Sequence, residues 1–134
     1  MNENWFLKYE YVSQSMFDIV LGLNFKIYFF EDKSYIFKKN GFINEETYFN
    51  SSKISNSNFD ILKSKIENIV FPQNLTEIGF LDGYESYITI KSNGNVKRYG
   101  GCNPQNKEYL KLENLIQDII GFNNYKNIYY KGDF

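Results

Sequence analysis

The sequence contains no histidine, no alanine, one cysteine (Cys102), one arginine (Arg98) and two prolines (Pro72 and Pro104) in 134 residues. The missing histidine removes the commonest general base, the commonest zinc ligand and the side chain that changes charge near neutral pH. Nucleophile–histidine–carboxylate triads are therefore excluded. One cysteine allows neither an internal disulfide framework nor a cysteine-built metal site. No sign of charge dominates: 15 basic and 16 acidic residues leave a net charge of −1. The basic footprint of a nucleic-acid-binding protein is absent, and no nucleic-acid partner is expected.

Long hydrophobic runs are missing too. The longest apolar stretch, from Met16 to Phe30, is interrupted by Asp18, Asn24 and Lys26 and divided by Gly22. That is too short and too polar to span a bilayer. The opening Met1-Asn2-Glu3-Asn4-Trp5 lacks the basic start and apolar core of a secretory signal. A cytoplasmic protein without membrane attachment is the expectation. Glu31-Asp32 and Glu45-Glu46 are adjacent carboxylates. Neighbours on a strand point to opposite faces, so neither pair makes a natural acid–base couple. No Asp-x-Asp-x-Asp-Gly loop and no glycine-rich phosphate loop with its lysine occurs, and no cofactor is expected.

Asn, Lys, Ile, Phe and Tyr make up 72 of the 134 residues. All five have AT-rich codons, so the aromatic content of 19% reflects codon bias and does not by itself mark a binding surface. Apolar and charged fractions of 43% and 23% are those of a globular chain, and the length suits one domain spanning residues 1–134.

Local pattern places the elements. Trp5, Leu7, Tyr9 and Tyr11 alternate with Lys8 and Glu10, which predicts a strand buried on one side. Ser13 to Leu23 fits either a short helix or a turn. Phe25–Phe30 and Tyr35–Lys39, joined by Glu31-Asp32-Lys33-Ser34, predict a hairpin with a four-residue loop, and Thr47-Tyr48-Phe49 a short third strand. Ser51 to Asn58 is polar and loop-like. Phe59, Leu62, Ile66, Ile69 and Val70 recur at helical spacing, with Ser57 or Asn58 to cap and Pro72 to stop the helix.

Asp82-Gly83 predicts a turn before a strand over Tyr84–Lys91. Asn93-Gly94, inside Ser92-Asn93-Gly94-Asn95, predicts a tight hairpin returning through Val96–Gly100. A second helix is expected over Gln105–Ile120. Its stripe is Tyr109, Leu112, Leu115, Ile116, Ile119 and Ile120, with Pro104 before it and Gly121 after it. Ile128-Tyr129-Tyr130 in the tail suits an edge strand or an extended arm. The sum is an α+β fold: an antiparallel β-sheet with two amphipathic helices packed on one face.

Three chemical constellations remain. Cys102 follows Gly100-Gly101 and lies near Lys97 and Arg98, but a structural cysteine is the simpler reading. Gly100 to Pro104 leads into a helix whose amides would suit an anion. Tyr28, Phe30, Tyr35 and Phe37, flanked by Lys26, Lys38 and Lys39, have the composition of a base-stacking surface.

The segment over residues 82–120 carries a resemblance. Asp82-Gly83, Tyr87-Ile88-Thr89-Ile90, Gly94, Lys97-Arg98-Tyr99-Gly100-Gly101 and Asn103-Pro104, followed by an amphipathic helix, resemble the layout of small bacterial polymorphic-toxin immunity proteins. The resemblance implies a non-catalytic inhibitor that binds a cognate toxin directly. Inhibitors of nucleases often offer acidic and aromatic groups to a basic cleft. The partner-binding candidates are then Glu31, Asp32, Glu45, Glu46 and Tyr48, with Asp82, Tyr84 and Glu85 at a neighbouring turn. The alternative is a small-molecule or peptide-binding module that uses an aromatic concavity on the sheet.

Overall fold

A computed structural model describes residues 4–13, 24–40, 47–67, 69 and 84–121. Six strands form one antiparallel sheet: β1 (Trp5–Ser13), β2 (Asn24–Phe30), β3 (Ser34–Asn40), β4 (Thr47–Lys53), β5 (Tyr84–Ser92) and β6 (Asn95–Cys102). Two helices accompany them, α1 (Asn56–Glu67) and α2 (Lys107–Ile120). The spatial order is β4-β3-β2-β1-β5-β6. The first four strands form a meander, and the β5–β6 hairpin joins it by pairing β5 with β1 across Leu7↔Ile90 to Ser13↔Tyr84. The α+β architecture is the expected one.

Both helices lie on one face. Leu62 and Ile66 of α1 share a single core with Tyr109, Leu112, Ile116 and Ile120 of α2. The sheet supplies Leu7, Tyr9, Phe25, Ile27, Phe29, Tyr35, Phe37 and Ile88 to the same core. These strand residues recur at every second position because a pleated strand points alternate side chains to one side. Each large apolar side chain so buried contributes about 1.5–3 kcal/mol.

The alternation breaks at one place. The β1–β2 register shifts between Trp5 and Leu7, so Phe6 is the extra residue of a bulge. Phe6 is buried with the core and meets Phe59 of α1 edge-on at 5.7 Å. Trp5 turns to the other side, where its ring meets Tyr28. The expected single-sided set of Trp5, Leu7, Tyr9 and Tyr11 is therefore corrected at its first member.

Turn and cap chemistry fix the ends. Asn93 (φ 50°) and Gly94 (φ 80°) form the two-residue β5–β6 turn, whose two positive φ angles suit Asn-Gly. The β2–β3 loop has three residues rather than four, with Lys33 at φ 69°. β4 continues through Ser51 and Ser52 to Lys53, where a loop was expected. Strand pairing with β3 overrides the weak local preference of serine.

Helix α1 begins three residues earlier than its apolar stripe suggested. Ser55 is the cap: its Oγ accepts from the Asn58 amide at 3.0 Å. α2 is capped by Asn106, whose Oδ1 accepts from the Tyr109 amide at 3.0 Å, and ends at Gly121 with φ 68°. The expectations for 14–23, for the Asp82-Gly83 turn, for Val70 and for the tail 123–134 lie outside the described residues.

Gly100 is the tightest point of the fold. Its φ is +129°, and a Cβ there would stand 2.0 Å from the Ser86 carbonyl oxygen and 2.9 Å from the Tyr109 hydroxyl. Gly94 has a positive φ but nothing within 4 Å of its would-be Cβ. Gly100→Ala should cost about 3 kcal/mol or more, from backbone strain together with overpacking. Gly94→Ala should cost about 1–2 kcal/mol, from strain alone. Urea melts of the two variants check the ordering.

Candidate functional site

Two polar assemblies flank the sheet, one buried beneath α2 and one on the opposite face. The buried one centres on Glu113, which is 2% exposed. Tyr9 of β1 donates its hydroxyl to Glu113 Oε2 at 2.7 Å, and Tyr84 of β5 donates to Oε1 at 2.6 Å. Gln117, one turn further along α2, donates to the Tyr9 hydroxyl at 3.0 Å. Beside this cluster the Tyr109 hydroxyl and Ser86 Oγ lie 2.9 Å apart. Phe25, Tyr11 and Tyr84 stack ring on ring, at 5.1 and 5.2 Å between centroids. An uncompensated buried carboxylate is costly, and two charge-assisted bonds from phenols compensate this one. The cluster fastens α2 to β1 and β5.

Burial, then the Glu113 charge, holds the Tyr9 phenol well above its ordinary value. Burial and the bond to Glu113 push Tyr84 up, and burial raises Tyr109.

The face away from the helices has a different character. Strand register places its side chains in rows. One row runs Arg98, Thr89, Lys8, Tyr28 and Ile36, and the next runs Tyr87, Glu10, Lys26 and Lys38. Lys91 and Trp5 lie beside the first row and Glu85 beside the second. Rings and charges are interlocked. Arg98 Cζ sits 3.7 Å from the centre of the Tyr87 ring. Lys91 Nζ lies 4.6 Å from the centre of Trp5, and Lys8 and Lys38 both approach Tyr28, at 5.4 and 5.7 Å. Glu10 Oε1 is 3.6 Å from Arg98 Nη2 and 3.7 Å from Lys8 Nζ. The Tyr87 hydroxyl donates to Glu85 Oε1 at 2.5 Å, and that bond, with burial and the Glu85 charge, pushes its pKa up to about 12. With Lys53 of β4, opposite Ser34, six cations and two carboxylates share this face.

The candidates read from sequence do not assemble into one surface. Glu31 and Asp32 occupy the β2–β3 turn, where Glu31 pairs with Lys63 of α1 at 2.6 Å and Asp32 Oδ1 accepts from the Ser34 amide at 3.0 Å. The Ser34 hydroxyl and amide hold the Asp32 carboxyl below its usual range. Tyr84 and Glu85 stand at the other end of the sheet, roughly 26 Å away along β1, on opposite faces of β5. They belong to a strand, not to a turn, and Tyr84 is spent on Glu113. Tyr48 lies on β4, opposite Lys39 of β3. Glu45, Glu46 and Asp82 lie outside the described residues.

The base-stacking set is also divided. Tyr35 and Phe37 belong to the helix-side core and Phe30 is 1% exposed, while Tyr28 shares the outer face with Lys26 and Lys38. Sequence reading missed Glu113, Trp5, Tyr87 and Arg98. The first had only a weak signal: at 100° per residue Glu113 falls just outside the edge of the apolar arc of Tyr109, Leu112, Ile116 and Ile120, beside Ile120.

An open groove of about 740 Å³ lies between α1 and the β5–β6 turn, lined among others by Trp5, Lys63, Ile66, Ile90, Lys91 and Tyr99. Among the described residues, no group of three or more Cys, Asp or Glu side chains is placed to hold a metal ion, and no helix is long and apolar enough to cross a membrane. No family model matches the sequence, and no curated protein matches it.

Tyr9→Phe and Tyr84→Phe should each cost about 1.5–3 kcal/mol, because each removes one of the donors to a buried carboxylate. The double variant should be non-additive, since both phenols serve one group. The raised phenols also set a pH limit. The unfolded chain ionises its tyrosines near pH 10, while Tyr9, Tyr84 and Tyr109 stay protonated in the fold. Their contribution to stability is complete below about pH 10 and declines as pH rises beyond it. Denaturant melts from neutral to alkaline pH should show that decline, and Tyr84→Phe should flatten it.

Proposed function

We propose that this protein is a non-catalytic inhibitor that neutralises a cognate bacterial toxin by direct protein–protein binding, as immunity proteins do. The observation that carries the proposal is the sheet face opposite the helices. Tyr, Trp and Arg dominate the energetics of protein interfaces, and Trp5, Tyr28, Tyr87 and Arg98 are gathered on that face. Their geometry is set before any partner arrives, because ring–cation contacts and ion pairs restrain them. Ordering side chains in advance lowers the entropy lost on association. The resemblance of residues 82–120 to immunity proteins supports the same conclusion, since this segment contributes both Tyr87 and Arg98.

The chemistry of the buried side is consistent with it. Glu113 is the carboxylate whose burial would suit an acid–base role, and phenols occupy both of its oxygens. Its work is to hold the helix.

A second reading, a small-molecule or peptide-binding module, draws on the groove between β1, α1 and the β5–β6 turn. Its volume would accommodate a ligand of ordinary drug size.

The test is growth. The gene adjacent to the one encoding this chain is expressed in a sensitive host with and without the chain. Toxicity relieved by co-expression is the expected outcome. A harmless neighbour, or a toxic one that the chain leaves toxic, counts against inhibition; a small molecule retained in the groove through purification would favour the second reading.

A further inference from the structure

We propose that the sheet face opposite the helices is the docking surface, and that it takes a protein surface rich in carboxylates. The proposal deepens the inhibitor reading and rests on it for the occupant's being a protein.

Charge is the first argument. Lys8, Lys26, Lys38, Lys53, Lys91 and Arg98 share the face with Glu10 and Glu85, an excess of four positive charges on a chain whose net charge is −1. Positive charge outweighs negative on this face while the molecule as a whole is slightly acidic. Such segregation attracts a partner of the opposite sign and speeds its arrival.

The arrangement of rings is the second argument, and it separates an acidic protein from a nucleic acid. Single-stranded nucleic acids bind by laying bases on bare aromatic faces. Here Arg98 covers Tyr87 at 3.7 Å, Lys91 approaches Trp5 at 4.6 Å, and two lysines approach Tyr28. A base would have to displace them. Glu10, between Lys8 and Arg98, repels phosphates and carboxylates alike and does not separate the two partners. A protein surface leaves the ring–cation contacts in place. Its carboxylates pair with the outer edges of the guanidinium and ammonium groups while the rings keep their cations.

Exposure marks the centre of the contact. Arg98 has a side chain 54% exposed, and Val96, two residues before it on the same face of β6, is 59% exposed. Val96 is one of two large apolar side chains standing in solvent among the described residues. An apolar anchor beside an arginine already oriented by Tyr87 and Glu10 has the composition of an interface hot spot.

The experiment titrates the isotope-labelled full chain, at low salt, with poly-L-glutamate as the acidic probe and with a twelve-nucleotide oligothymidylate as the rival. Amide resonances are followed for wild type and for the double variant Lys8→Glu/Arg98→Glu. Its fold is checked by retention of the core shifts of Tyr9, Leu112 and Ile116. The expected result is that poly-L-glutamate shifts resonances of β1, β5 and β6 around Lys8, Thr89, Val96 and Arg98. The effect should weaken with added salt, and affinity should fall about tenfold or more in the double variant. Shifts confined to the helices, or an affinity unchanged by the double substitution, would overturn the proposal. So would tighter binding of the oligothymidylate on this face, which would assign it to nucleic acid. Should the double variant fail to fold, Val96→Glu serves instead, with the same expected loss. These outcomes are independent of the growth test. A chain that relieves toxicity equally well as Lys8→Glu/Arg98→Glu remains an inhibitor with its interface elsewhere.

Discussion

Glu113 reaches from the middle of α2 to phenols on β1 and β5, and the placement of the helical layer depends on that contact. Apolar packing alone leaves a helix free to slide or rotate over a sheet by a fraction of a turn, because Leu, Ile and Phe surfaces are interchangeable to a first approximation. A carboxylate that must meet two hydroxyls has no such freedom. The two strands it bridges, β1 and β5, are far apart in sequence, and their pairing joins the meander to the hairpin. One residue therefore fixes the helix relative to both halves of the sheet. Gly100 supports the arrangement from the side: the absence of its Cβ lets Tyr109 and the β5 backbone come close.

Fixing both helices to one face has an effect on the other. The core side of each strand is used by apolar groups that meet the helices, so the alternate positions are left to charged and aromatic residues. Lys8 and Glu10 on β1, Lys26 and Tyr28 on β2, and Tyr87, Thr89 and Lys91 on β5 all follow from this period of two. The bulge at Phe6 adds Trp5 to the set by reversing the parity of the first residue of β1.

These features were legible in the sequence to different degrees. The Asn93-Gly94 hairpin, the Gly121 stop and the apolar stripes of both helices depend on chemistry within a few residues, and local pattern suffices for them. The α+β class followed from the same signals. The order of the strands did not, because the β1–β5 pairing joins residues some 80 positions apart along the chain and nothing local specifies it. The outer face depends on that order, so Tyr87 and Glu10 could not be recognised as neighbours. Trp5 was misplaced because strict alternation contains no provision for an inserted residue. Glu113 had only a weak sequence signal, an acid at the border of an apolar arc, and its partners Tyr9 and Tyr84 belong to distant strands. Sign and turn propensity point to the acidic candidates; the structure spends Glu31 on Lys63 of α1 and Asp32 on the adjoining turn, and puts the excess of charge, of the opposite sign, on the open face of the sheet.

The backbone of β6 bears on colloidal behaviour. This strand is at the end of the sheet order among the described elements, and a straight terminal strand is a template on which further copies can polymerise. Gly100 and Gly101 depart from extended geometry, with φ of 129° and 142°, and Lys97 and Arg98 stand just before them. Two like charges side by side on this strand would face their own duplicates across any in-register parallel stack, and that repulsion opposes growth of the sheet along β6.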